Sequence, residues 1–239
     1  MYEAGIVNVR KQFVTAEKEN DLIAQRHAYE PVLKQWFGDD PQDAQESTRR
    51  FKSWFNPSDD NDAIVRERFF DILQRAIVGE CDDWTTSARG SLALVILFDQ
   101  VTRTLYRGLA EAFSCDERAM AIAESAIARG FDQDLSFIER VMLYIPFEHG
   151  ENLESQNRFV EYFQLIDGIA PSEFKSITQS CVVSGMEHRE VIRRFGRFPH
   201  RNRPLGRVST KDELAWIVNH HGWGQAEPET EKGDGQVKN

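Results

Sequence analysis

The residues of this chain best suited to chemistry gather in one run, His188-Arg-Glu-Val-Ile-Arg-Arg-Phe-Gly-Arg-Phe-Pro-His-Arg-Asn202, continued by Leu205-Gly-Arg207. From Glu187 to Arg207 there are seven Arg, no Lys and two acids, so this stretch carries +5 although the whole chain carries −10. Planar guanidinium forks match carboxylate or phosphate oxygens two at a time, and the absence of Lys points to geometry rather than charge alone. A helix over 183–195, closed by Gly196 and barred from continuing by Pro199, sets His188 on the packed face with Ile192 and Phe195. The loop beyond it delivers Arg197, His200, Arg201 and Asn202. There His200 can titrate near neutral pH and Asn202 can orient a ligand through its amide. A structural reading competes: Arg and His after a helix also satisfy its last carbonyls or tie loops to acidic neighbours.

A second constellation follows the apolar run Ser91-Leu-Ala-Leu-Val-Ile-Leu-Phe98. Asp99, Arg103, Tyr106 and Arg107 fall on one face if the helix continues. Asp99 and Arg103 then form an internal ion pair, or Arg103 and Arg107 join the Arg segment around a shared anion. A third group is Arg140, Tyr144, Glu148 and His149, in which Pro146 disturbs the register and Glu148 and His149 offer an acid and a base. Catalytic candidates are therefore His200, His149 and Asp99. Candidate ligand contacts are Arg103, Tyr106, Arg107, His188, Arg197, His200, Arg201 and Asn202. His220-His221 has no carboxylate or thiolate at ligand spacing, so no metal is expected. The nucleophile elbow, the phosphate loop, the dinucleotide fingerprint and the His-Glu-x-x-His pattern are all missing, and no cofactor is expected.

The elements that must position these groups read as helices. Ser114-Cys-Asp-Glu117, Ser136-Phe-Ile-Glu139 and Thr210-Lys-Asp-Glu213 have the form of capping boxes. Gly38, Gly79, Gly130, Gly168 and Gly196 stand where helices would close. Val65, Phe69, Ile72, Leu73 and Ala76 form one stripe; Ala119, Met120, Ala123, Ala126 and Ile127 form another, and Phe159, Val160, Phe163 and Ile166 a third. The run from Ser91 to Phe98, apolar on every side, predicts a buried central helix, with a short buried strand as the alternative. An all-α fold of about eight to ten helices, packed as antiparallel helical hairpins, is expected.

The chain's 239 residues read as an N-terminal extension over 1–29, a docking helix or a partner contact, then one helical domain over 30–224 and a disordered tail over 225–239. A pI near 5.2 argues against nucleic acid and membrane surfaces as partners. Cys81, Cys115 and Cys181 are widely spaced and read as reduced buried thiols, and no apolar leader is visible, so a cytoplasmic protein is expected.

At these residues the chain resembles a bacterial family of uncharacterised helical proteins, domain-of-unknown-function family 924, grouped with tetratricopeptide-like folds. The likeness runs from about Tyr29 to Gly224. It rests on Val32-Leu-x-x-Trp-Phe-Gly38, Phe98-Asp-Gln-x-x-Arg-x-Leu-Tyr-Arg-Gly108, Glu139-Arg-x-x-Leu-Tyr-x-Pro-Phe-x-His149 and Ile192-x-Arg-Phe-Gly-Arg-Phe-Pro-His-Arg-Asn202 with Leu205-Gly-Arg207. The resemblance implies a fold of helical hairpins and supplies no reaction. Thr102 and Thr104 depart from the Pro and Asn common there, and Glu148 and Gly150 from Met and Ser.

Three functional expectations follow. The first is a module that holds a small anion, or a peptide's carboxylate, on the Arg, His and Asn cluster. The second is an enzyme needing neither metal nor cofactor, with a His base and Arg side chains stabilising developing negative charge. The third is a protein–protein scaffold in which the Arg segment is a structural lock.

Overall fold

Apolar side chains recurring every three or four residues build helices throughout the computed structural model, which describes residues 28–54, 59–220 and 222–224. In chain order these are α1 (28–37), α2 (Ala44–Trp54), α3 (Asp59–Ile77), α4 (Ala88–Val95), α5 (Thr102–Leu105), α6 (Asp116–Ala128), α7 (Phe137–Tyr144), α8 (Leu153–Ile169), α9 (Lys175–Phe195) and α10 (Lys211–Asn219). No strand occurs among the described residues, and the expected all-α class holds. Of the expected extension over 1–29 only Ala28 and Tyr29 are described, and the expected tail lies outside the described residues. Tyr29 is buried edge-on against Trp84, with ring centres 5.6 Å apart.

Two expected capping boxes form. Glu139 Oε2 accepts from the Ser136 backbone N–H at 3.0 Å, and Glu213 Oε2 accepts from that of Thr210 at 2.7 Å. The third, at Ser114, does not. A 3₁₀ turn over Ala110–Phe113 leads into α6 and offers Ser114 a nearer partner, so its hydroxyl donates to the Glu111 carbonyl at 2.8 Å. Gly168 is likewise not a stop. Helix α8 runs to Ile169 and ends because Pro171 holds Ala170 extended, at φ −63° and ψ 133°. Gly196 closes α9 in the left-handed region, at φ 71°.

The three apolar stripes face one core, in which Leu92 to Phe98 are buried throughout. This central run does not remain α-helical. Ile96–Val101 takes a π-helical turn, a widening often found at functional sites, and both Asp99 and Gln100 are buried there. Pro146 ends α7 at Tyr144 as expected, and a 3₁₀ turn over Ile145–His149 follows. The short link after α8 folds α9 back along it, and Gly185 lets the two backbones approach: a Cβ at this position would lie 2.4 Å from the Phe159 ring. A smaller cluster of Val191, Ile192, Phe198 and Trp216 fastens α10 and the Arg-rich loop to the end of α9.

Candidate functional site

A cavity of about 350 Å³ opens where these irregular turns meet. The π turn and α5 contribute Gln100, Arg103 and Thr104, and the 3₁₀ turn after α7 contributes Ile145, Glu148 and His149. Helix α9 adds Ser180, Cys181, Ser184 and His188, and the Arg-rich loop adds Phe198, His200 and Arg201. Aromatic walls come from Phe51 and Trp54 on α2, from Phe113, and from Trp223. Trp223 has a left-handed backbone, φ 50°, and stacks on His188 with ring centres 3.8 Å apart.

His149 Nδ1 lies 2.6 Å from Asp99 Oδ1. Asp99 has no exposed surface. Burial alone would raise its pKa, but His149, Arg103 and Gln100 outweigh burial and hold the carboxyl well below the usual range. An ionised carboxylate can only accept, so Nδ1 of His149 carries a hydrogen, and in the ring's neutral form the lone pair sits on Nε2. Gln100 Nε2 donates to Asp99 Oδ2 at 2.6 Å, and Arg103 NH1 donates to the Asp99 carbonyl at 2.7 Å and lies 3.2 Å from Oδ1. The expected Asp99–Arg103 pair is thus present, with His149 as its third member.

Asp116, in the first turn of α6, ties the two Arg-bearing regions together. Arg103 donates to both its oxygens, at 2.8 and 2.9 Å, and Arg201 NH1 donates to Oδ2 at 3.0 Å. Arg201 NH2 also donates to the His149 carbonyl at 3.1 Å, and its guanidinium lies between the rings of Phe113 and Phe198. Burial lowers the pKa of Arg201 to about 10, and its Nε has no partner.

Glu148, next to His149 in the chain, is buried and its Oε1 makes no hydrogen bond. Burial pushes its carboxyl up to about 7, against the pull of His149 and the Ser184 hydroxyl. His188 donates from Nδ1 to the Ser184 carbonyl at 2.9 Å and lies 3.3 Å from Glu148 Oε1; burial takes it down to about 4. His200 does not titrate near neutral pH as expected, because burial drives its pKa well below the usual value. Cys181 is a poor nucleophile, since burial moves its thiol well up.

The cavity therefore brings together His149, His188, His200, Arg103, Arg107 and Arg201, with Asp99 directly behind them. Three expected ligand contacts lie elsewhere. Arg197 grips Glu213 through two bonds of 2.7 and 2.9 Å, and Asn202 Nδ2 donates to Ser209 Oγ at 3.0 Å. Tyr106 accepts from Gln74 at 2.9 Å, because α5 ends at Leu105 and removes Tyr106 and Arg107 from the helical face shared by Asp99 and Arg103. Arg107, on the cavity wall, donates to Asp62 at 3.1 Å. Arg207 holds Glu151 at 2.9 and 2.6 Å, so much of the Arg segment fastens the loop. In the third group, Arg140 and Tyr144 both bond Asp132, and only Glu148 and His149 reach the cavity.

Asp116, Phe113, Trp223 and the α2 aromatics were not singled out from the sequence. Asp116 carried one usable signal, a carboxylate in a helix's first turn close in sequence to Arg103 and Arg107. Among the described residues no cluster of His, Cys, Asp or Glu is arranged to hold a metal, and no helix is long and apolar enough to cross a membrane.

The family model for a bacterial protein of unknown function (DUF924) matches residues 32–221. A solved protein of unknown function from Agrobacterium tumefaciens is 31% identical over 81% of this chain and 98% of its own, with a TM-score of 0.67. No curated protein matches the chain.

Proposed function

The chain belongs to the bacterial DUF924 family, whose function is not established, and we propose that its cavity is a catalytic centre for acid–base chemistry on a small organic anion. The observation that carries this is the 2.6 Å bond from His149 Nδ1 to the fully buried Asp99, which fixes the imidazole's tautomer and orientation. His149 Nε2 removes a proton from the bound molecule or from an attacking water. Glu148, whose carboxyl burial raises to about 7, retains its proton in part of the molecules near neutral pH and returns it to the leaving or rearranging group. The proton count closes when both side chains re-equilibrate with solvent. Arg103 and Arg201, set by Asp116, stiffen the wall and stabilise charge that develops near them. The aromatic walls exclude water and suit an apolar body. Three free, buried thiols support a reducing compartment, the cytoplasm.

The test is a panel of small carboxylates and phosphate esters, with product formation followed by proton NMR and binding by thermal shift. Turnover that drops on the order of 10²–10⁴-fold in His149→Ala, with ligand stabilisation retained, is the expected result. Turnover indifferent to His149, or stabilisation by a ligand that the wild type never converts, overturns the catalytic reading; the latter result leaves a binding module in its place.

A further inference from the structure

A second cavity, of about 270 Å³, adjoins the first, and Trp54, Gln100 and Thr104 line both. Its other walls come from α1, α2 and α3. Trp36, on α1, lines it, and the indole Nε1 of this buried residue has no acceptor. Native proteins seldom leave a buried N–H unpaired, so an orphan donor beside a cavity marks where an acceptor belongs. The neighbouring groups are donors too. Gln35, on the same wall, accepts from Arg68 through Oε1 at 2.6 Å, and its amide N–H groups are not used in that bond. Arg49 and Arg50 share a single carboxylate, Glu46, at 2.7 and 2.6 Å, so two cations stand against one anion.

The first cavity is balanced differently. Its Arg103, Arg107 and Arg201 are matched by Asp99, Asp62 and Asp116. The second cavity's wall, by contrast, carries Arg49 and Arg50 and no acid, and the orphaned Trp36 Nε1 lies there, across Gln100 and Thr104 from His149. We infer that the second cavity is an anion subsite, in which Trp36 Nε1, Gln35 and Arg49 hold the carboxylate or phosphate of a molecule whose apolar body occupies the first cavity. The inference rests on reading the first cavity as the ligand site, and it defines the ligand class: a carboxylate or phosphate monoester attached to an apolar or aromatic group.

Indole N–H resonances give a direct readout on the full chain. The Trp36 signal is assigned by its loss in Trp36→Phe, and acetate, inorganic phosphate and phenyl phosphate are titrated at ionic strength matched with sodium chloride. The Trp36 signal should move saturably with acetate or phosphate, and whichever anion moves it names the group. Phenyl phosphate should bind more tightly than inorganic phosphate, because it fills both cavities. Arg49→Gln should weaken phenyl phosphate about tenfold, through loss of a charged partner; the Arg49 side chain is 66% exposed, so the fold is retained. A Trp36 signal that follows sodium chloride alone, or stays fixed in every titration, overturns the subsite. Phenyl phosphate binding no tighter than inorganic phosphate overturns the link between the cavities. His149→Ala separates the two readings: it removes turnover and leaves the Trp36 titration intact. A chain that turns over nothing while Trp36 still responds loses its catalytic role and keeps the subsite.

Discussion

The Nδ1 of His149 and the Oδ1 of Asp99 meet at 2.6 Å although fifty residues separate them, and each reaches that position through an irregular turn. Asp99 sits in the π turn that interrupts the central apolar run, and His149 ends the 3₁₀ turn that Pro146 forces after α7. Neither side chain would be placed this way by an unbroken α-helix. Asp99→Asn keeps the volume but replaces a carboxylate that only accepts with an amide that also donates, so the imidazole loses its fixed tautomer. In that variant the downfield N–H proton expected for His149 Nδ1 should disappear from the NMR spectrum while the helical circular dichroism persists. A downfield signal unchanged in Asp99→Asn would show that the bond does not fix the ring in solution.

Asp116 is the anion on which Arg103 and Arg201 converge, and all three side chains are nearly buried. Asp116→Ala leaves two buried guanidinium groups without their shared carboxylate. Breaking such a network costs about 3–5 kcal/mol, which for a chain of this size lowers Tm by roughly 6–20 °C. Arg197→Ala is a useful contrast: it breaks the grip on Glu213, away from the cavity, and should lower Tm without changing ligand-induced stabilisation. Scanning calorimetry of both variants, with and without phenyl phosphate, checks the pair.

Helix capping and periodicity made the fold legible, because those signals are local. Ser136 with Glu139 and Thr210 with Glu213 announce helix starts within four residues, and the Val65 to Ala76 stripe shows its buried face directly. The site was legible by residue type and only partly by partner. Asp99, Arg103, His149, His188, His200 and Arg201 share one place, but proximity in one polar loop also nominated Arg197 and Asn202, which the chain uses to fasten α10 and the loop. The π turn was not readable, since the uniformly apolar run before Asp99 has no face to report a change of register. Trp36 was also missed. A tryptophan in an apolar stripe reads as core, and only the absence of an acceptor for its N–H distinguishes it.

Glu148 and His188 oppose one another in their effect on pH stability. The folded chain holds the Glu148 carboxyl near 7 against an ordinary 4.5, so between those values it keeps a proton that the unfolded chain has released. Raising the pH through that window removes stability. His188 behaves inversely: with its value lowered from 6.5 to about 4, the unfolded chain gains a proton there that the folded chain excludes, and lowering the pH removes stability. From about pH 4.5 to 6.5 the two trends offset. Relative to the wild type, Tm of Glu148→Gln should rise more steeply with pH in this range, and Tm of His188→Gln should fall. Parallel Tm curves for all three proteins would show that neither group is held away from its ordinary protonation.

Gly185 tests whether the α8–α9 contact sets the cavity as well as the core. A methyl group there would come within 2.4 and 2.5 Å of the Phe159 ring, and Phe159 is fully buried with no open side to turn toward. One turn of α9 at most separates Gly185 from Cys181, Ser184 and His188, so the strain displaces cavity-lining residues as it parts the helices. Gly185→Ala should therefore cost about 1–3 kcal/mol, the usual range for overpacking a close contact, despite the better intrinsic helix propensity of alanine. It should also disturb the stacking of His188 on Trp223, visible as a change in tryptophan fluorescence. Phe159→Leu in the same chain makes room for the new methyl and should recover part of the lost stability. If the double variant is no more stable than additive losses predict, the contact between position 185 and Phe159 is not the source of the strain.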